Sequence, residues 1–388
     1  QLDGSIAFKL YDTYGFPLDL TQDVLRGRGV AVDEEGFEKA MQHQKKEARS
    51  AWVGSGSSAE EIVWFEVREK IGATDFLGYG VEEISAKVMS ILKDGEVVDS
   101  LKTGEKGLLL FNQTPFYAES GGQLGDHGTI SSEKGVIADV SDTQKKASNL
   151  YAHSTHVEKG SIKLGENVSL KIDINRRCSL KANHSATHLL HASLRGFLGE
   201  HVTQKGSLVA HDRLRFDFSH PKPLTEGDLR YIETTVNQQI RANSVVTTRL
   251  MDPDSAVESG ALALFGERYG DEVRVVSMGA DADRAFSTEL CGGTHVDNTG
   301  EIGVFKIINE VGVSAGVRRI EALTGWSAEE YFSQLESNLY KVAGMLKSKV
   351  VDVPERVASL LDDRRDLEKK VSVSRRMVAS GDPGSENK

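Results

Sequence analysis

Two histidines four residues apart, His184 and His188, lie in Asn183-His184-Ser185-Ala186-Thr187-His188-Leu189-Leu190-His191. Farther along, Cys291-Gly292-Gly293-Thr294-His295 brings a thiol and a third imidazole. The first pair falls in an apolar-periodic stretch that reads as helix, so positions i and i+4 share one face. The second spans a Gly-Gly turn, tight enough for Cys291 and His295 to fold back toward one point. One thiolate and three imidazoles form a tetrahedral nitrogen/sulfur set, and that chemistry selects Zn2+ before other common ions. A lone His-x-x-x-His is more often a pair of surface or core histidines; the second, Gly-Gly-spaced pair is what favours a metal. Ser185 stands where a His-Glu-x-x-His peptidase needs its glutamate base, which argues against peptidase chemistry. His191 faces away from the ligand pair and reads as a core or outer residue. Cys178 reads as a buried spectator.

The chain has 388 residues, 39% of them hydrophobic and 27% charged, which suits two or three ordinary domains with cores of their own. A net charge of −11 argues against sequence-blind nucleic-acid binding but leaves local basic patches open. Arg176-Arg177, Arg213 with Arg215, and Arg318-Arg319 are candidates, each more often a solvated face or a salt-bridge partner than an RNA contact. The two cysteines make no disulfide framework and suit a reducing cytoplasm. No uninterrupted apolar run is long enough to span a membrane. The start, Gln1-Leu2-Asp3-Gly4, has neither Met nor a signal pattern and reads as a cut from a longer chain.

To place the four candidate ligands, the chain must supply a helix and a turn from well-separated segments. Residues 1–72 read as mainly helical, with Gly54-Ser55-Gly56-Ser57-Ser58 as a joint and a short helix over about Glu60–Ile71. Over 73–172 the period changes to two. Lys93-Asp94-Gly95 marks a hairpin, strands are expected at Gly107–Phe111, Val136–Val140 and Val168–Ile172, and the whole suggests a small β-barrel. Within it, Phe116–Asp126 is dense in glycine. It lacks the Lys and the helix of a phosphate loop, so it reads as close backbone packing beside a functional groove. Over 173–325 helices and strands mix. The metal-bearing helix should reach about Phe197, Leu208-Val209 should pair with Leu214–Phe218, a helix should run from Leu229 to Ala242, and strands should lie near Val245–Leu250 and Val273–Ser277. From 326 to 388 the chain reads as helical. Phe332, Leu335, Leu339, Val342 and Leu346 form a 3-4 seam, Pro354 breaks it, and Val357, Leu360, Arg364, Leu367 and Val371 resume it, as a helical hairpin or a self-association zipper. Ser380–Lys388 should be disordered.

At these residues the chain resembles the bacterial alanyl-tRNA synthetase family, in the part after the aminoacylation core. The resemblance rests on Leu10–Thr21, Phe116–Asp126, Asn183–Leu190, Cys291–His295 and Gly316–Ala322, five separated matches in one order. It implies an α+β multidomain fold: a helical segment from the end of the tRNA-recognition region, a β-barrel, a zinc-containing editing domain, and a helical, coiled-coil tail. It also implies hydrolysis of tRNA(Ala) mischarged with Ser or Gly, and no aminoacylation core in this chain. The family's zinc ligands fall on His184, His188, Cys291 and His295, its editing glutamine on Gln204, and its serine-sensing threonine on Thr187. On their own, Gln204 reads as a surface polar residue and Thr187 as a threonine bonding back to its own turn. Arg318, Arg319, Asp217 and Gly293 are the expected substrate or tRNA contacts. The rival readings are a tRNA-binding module whose zinc is only structural and a free-standing editing protein.

Overall fold

The computed structural model describes residues 58–147, 149–258, 260–262, 272–280 and 284–379, with scattered positions among the first 37 (2–4, 6–9, 21, 25, 30–33, 36 and 37). The joint at 54–57, most of the helical reading of 1–57, the Leu10–Thr21 match other than Thr21, and the disorder expected at 380–388 lie outside the described residues. The chain divides into two units, Gln1–Ser120 with Leu124–Arg176 and Gly121–Gln123 with Arg177–Lys388.

In the first unit, helix α1 (Ser58–Ile71) precedes β1 (Asp75–Phe76), β2 (Glu83–Lys93), β3 (Glu96–Val97), β4 (Ser100–Lys102), β5 (Lys106–Phe111), β6 (Gln113–Thr114), β7 (Gly128–Ser131), β8 (Ile137–Lys146), β9 (Leu150–Lys159), β10 (Ser161–Lys163) and β11 (Asn167–Ile172). The sheet runs β11-β7-β8-β9-β5-β2-β3, and β11 also pairs with β2, which closes six strands into the expected barrel. Asp94 and Gly95 take φ of 52° and 83°, the paired left-handed residues that a two-residue hairpin between β2 and β3 requires. Alternate residues fill the interior, among them Ile91, Leu109, Phe111, Ile130, Ala138, Val140 and Leu170.

The second unit is built on α2 (Ile174–Leu198), a 25-residue helix with Leu180, Leu189, Leu190 and Leu194 fully buried. The antiparallel strands β12 (Gln204–Val209) and β13 (Leu214–Ser219) pair as the sequence suggests. Helix α3 (Glu226–Arg241) starts on a capping box between Thr225 and Asp228 and buries Ile232, Val236 and Ile240 at four-residue spacing. Then come β14 (Thr247–Met251), α4 (Pro253–Glu258), β15 (Val273–Met278), β16 (Ser287–Leu290), β17 (Phe305–Ser314) and β18 (Val317–Thr324). Two sheets result, β12-β13-β18-β17 and β14-β15-β16. Leu214, Phe216, Phe218, Ile320 and Ala322 form the buried face of the first and share one core with α2 and α3.

Helices α5 (Gly325–Met345) and α6 (Val353–Ala379) follow. The break between them covers 346–352, ahead of Pro354. Pro354 therefore sits in the first turn of α6, where its missing N–H costs nothing, rather than interrupting a helix. Phe332, Leu335, Leu339, Val342, Val357, Leu360, Leu367 and Val371 are each at least 38% exposed. No helix among the described residues is long and apolar enough to cross a membrane.

Candidate metal centre

Helix α2 carries His184 and His188 one turn apart, both buried. Strand β16 ends at Leu290, so the turn Cys291–His295 begins at its tip. Arg274 of β15 fixes that turn: its carbonyl accepts from Cys291 N at 2.9 Å, and its Nη1 donates to the carbonyls of Cys291 (3.1 Å) and Gly293 (2.8 Å). Gly293 is dictated by packing, since a Cβ there would lie 2.1 Å from His184 Cε1.

One ligand atom from each of His184, His188, Cys291 and His295 falls within 4.8 Å of the others, and all four residues are buried. Cys291 Sγ lies 3.4 Å from His184 Nε2 and 3.3 Å from His295 Nε2. Tetrahedral ligands around an ion of zinc's bond lengths stand about 3.3–3.6 Å apart, so these spacings fit. The other ring nitrogens turn outward to polar partners. His184 Nδ1 is 2.8 Å from Gln123 Oε1, His188 Nδ1 is 3.1 Å from Glu289 Oε2, and His295 Nδ1 is 3.1 Å from Ser185 Oγ. Three imidazoles held from behind, with Nε2 facing the sulfur for two of them, is the arrangement that metal-binding histidines adopt. Gly293 N donates to Cys291 Sγ at 3.4 Å. The four residues can hold a metal ion.

At Cys291 and His295 the electrostatics agree with this donor set. At His188 burial opposes a charge, but Glu289 and Cys291 outweigh it and raise the ring to about 10, so a metal ion would have to displace a proton there. Burial opposes ionisation of the Cys291 thiol, yet His184, His295 and His188 hold it well below its ordinary value, toward the thiolate that binds metals. Burial and the neighbouring His184 press His295 down to about 3, which keeps a lone pair on its ring. Burial also works against charge on Glu289, but His188 and His191 outweigh it and keep the carboxylate ionised.

Sequence reasoning missed the outer partners. Glu289 bridges His188 and His191 (Nδ1 to Oε1, 3.0 Å), which makes His191 a neighbour of a ligand, in keeping with its expected outer place. Ser185, noted only as an absent glutamate, supports His295. The one available signal for Glu289 was an acidic residue two positions before the cysteine, in a strand with no other charge. Cys178, expected to be buried, is exposed, because it falls on the solvent face of α2.

The remaining candidates have definite places. Thr187 Oγ1 donates to Asn183 O at 2.8 Å, the bond back to its own turn. Gln204 opens β12 opposite Phe218, and its Nε2 lies 3.3 Å from Ser207 Oγ; among the described residues no hydrogen bond joins it to the four ligands. Arg319 pairs with Asp217 through two bonds (2.6 and 2.7 Å), and Arg318 with Glu310 (2.5 and 2.6 Å). Arg177 is buried, and Arg213 contacts Asp212 at 3.0 Å.

The family described as tRNA synthetases class II (A) matches residues 1–176, and that described as threonyl and alanyl tRNA synthetase second additional domain matches residues 273–321. The chain is 54% identical to the alanine–tRNA ligase of Chelativorans sp. (strain BNC1), over 98% of this chain and 43% of that relative. It is 53% identical to that of Rhizobium meliloti (strain 1021), over 99% of this chain and 44% of that relative. The chain thus spans less than half the length of these relatives. The second match contains Cys291 and His295, so half of the ligand set lies in a segment recognised independently of the cluster geometry. With identity sustained along nearly its whole length, the chain belongs to the alanyl-tRNA synthetase family.

Proposed function

We propose that the second unit is an editing deacylase that hydrolyses Ser-tRNA(Ala) and Gly-tRNA(Ala), with Zn2+ bound by His184, His188, Cys291 and His295. The observation that carries this reading is the buried set of three imidazoles and one thiol with its outer partners in place. The Cys291 thiolate and the Glu289 carboxylate supply the two negative charges that a buried divalent ion needs. A zinc ion held by these four residues would supply Lewis acidity toward the aminoacyl ester.

The substrate is an ester, more reactive than an amide, so positioned water and oxyanion stabilisation suffice and no side-chain nucleophile is needed. Thr187 lies between the two helical ligands in sequence, and its proton is committed to Asn183 O. Its oxygen is therefore left as an acceptor, suited to the hydroxyl proton of serine, which alanine lacks. A synthetic pocket lined by apolar groups rejects an added hydroxyl only about a hundredfold, which is the physical need for such a second site. Gln204, next to Ser207, is assigned to placing substrate or water. Arg318 and Arg319 each use two N–H groups on carboxylates and keep others for tRNA phosphates, with Asp217 holding Arg319 in orientation, and Gly293 serves the same site by letting the turn close on His184. The four-part division at 72, 172 and 325, a coiled coil formed by α5 and α6 that supports self-association, and work in the cytoplasm on tRNA(Ala) belong to the same reading.

Four protein donors also close a metal shell, which favours a second reading: a tRNA-binding module with structural zinc. Deacylation of Ser-tRNA(Ala) against Ala-tRNA(Ala), with and without chelator, separates the two. The expected result is cleavage of the Ser ester alone, lost on chelation. Silence toward Ser-tRNA(Ala) with tRNA binding intact would establish the binding module. Thr187→Val should slow cleavage of the Ser ester by roughly tenfold or more with zinc retained, as loss of one buried hydrogen bond implies.

A further inference from the structure

The glycine-rich run Phe116–Asp126 has no role in the reaction as described above, yet one of its residues reaches the metal centre. Gln123 is fully buried and grouped with the second unit. Its Oε1 lies 2.8 Å from His184 Nδ1 and 3.0 Å from the backbone nitrogen of Thr294, and its Nε2 donates to Thr294 Oγ1 at 2.8 Å. These contacts fix protons by elimination. A backbone N–H can only donate, so the amide atom facing Thr294 N must be the oxygen. That oxygen can bond His184 Nδ1 only if Nδ1 carries the proton. The lone pair of His184 is then on Nε2, the atom 3.4 Å from Cys291 Sγ.

We propose that Gln123 is a positioning residue that selects the tautomer of His184 and at the same time ties the Cys291–His295 turn to helix α2. The glycines before it make the placement possible. Gly122 takes φ +85°, and a Cβ there would meet Ser207 Oγ at 2.4 Å and Ser207 O at 2.7 Å. The backbone can therefore lie against β12, where Gly122 O accepts from Val209 N at 2.7 Å and Gln123 bridges Val209. From that anchor an amide one methylene shorter falls short of both partners, and an apolar side chain offers no acceptor.

This inference rests on the cluster being a zinc site, and its test separates the two claims. The full chain is labelled with 15N-histidine and loaded with zinc, and long-range proton–nitrogen spectra are recorded. His184 should carry its proton on Nδ1 and its metal on Nε2; coordination through Nδ1 would overturn the proposal without any variant. Zinc affinity is then measured by chelator competition for the unmodified chain, Gln123→Leu and Gln123→Glu. Gln123→Leu should bind about 10–100-fold more weakly and shift the thiolate-to-metal band of the cobalt-substituted chain. Gln123→Glu keeps an acceptor oxygen and should recover most of the affinity. A folded Gln123→Leu chain with unchanged affinity and cobalt spectrum overturns the role of Gln123 alone. An unmodified chain that binds no zinc overturns the metal reading itself.

Discussion

The barrel also contains a buried histidine, and comparing it with the candidate metal centre shows what separates a residue able to bind metal from a core residue. His153 on β9 is as deeply enclosed as any of the four ligands. Its Nδ1 meets Leu109 O at 3.0 Å and its Nε2 meets Thr114 Oγ1 at 2.8 Å, with the edges of Phe111 and Phe116 packed around it. Because a carbonyl only accepts, Nδ1 is the donor, and Thr114, which itself accepts from Phe116 N at 3.1 Å, donates to Nε2. Both nitrogens are consumed by the fold. In the second unit each ring turns Nδ1 toward one polar group of the protein, and donor atoms of all three rings gather around the Cys291 sulfur. Burial is common to both; what differs is whether a lone pair is left over and pointed at others.

The sharpest way to break this comparison is to remove the sulfur. Cys291→Ser keeps the size of the side chain but not the thiolate, and zinc affinity measured by chelator competition should fall by more than about a hundredfold, beyond the loss seen for outer partners. Glu289→Gln tests the next layer: it removes the charge shared by His188 and His191, and affinity should drop about 10–100-fold with all four ligands retained. The barrel supplies the contrast. His153→Leu should leave zinc binding unchanged while costing about 1–3 kcal/mol in urea unfolding, since Thr114 and Leu109 lose a buried partner. The pH dependence follows from the same site. Burial holds His153 down to about 4, below the 6.5 of an open chain, so its neutral form is the one that the fold favours. Its contribution is complete above pH 6.5 and is lost as pH falls toward 4, about 2 kcal/mol of it between pH 7 and 5. Urea titrations at those two pH values should show a smaller difference for His153→Leu than for the unmodified chain.

Much of this was legible in the residues. The Asp94-Gly95 turn, the barrel strands, the helix α3 and the grouping of three histidines with Cys291 all depend on local chemistry or short periodicities. The outer partners were not. Gln123 and Glu289 meet their histidines across 61 and about a hundred residues, and nothing in the local pattern around Gln123 distinguishes an amide that orients a ring from one that faces water. Arg318 and Arg319 read more readily as a solvated face or ion pairs than as an RNA contact, but their partners Asp217 and Glu310 emerged only from the register of β13, β17 and β18. Pro354 marked the break between α5 and α6 to within a few residues, and the offset has a local reason, because proline is accommodated in the first turn of the helix that follows.

The two cysteines differ in a way that has practical use. Cys178 is open to solvent on α2, whereas Cys291 is enclosed at the centre of the cluster. A maleimide dye should therefore attach at a single position on the folded chain, giving a fluorescent handle on the very helix that carries His184 and His188. Uptake of a second equivalent would report that the cluster had opened, a count of thiols standing in for an assay of the site's integrity.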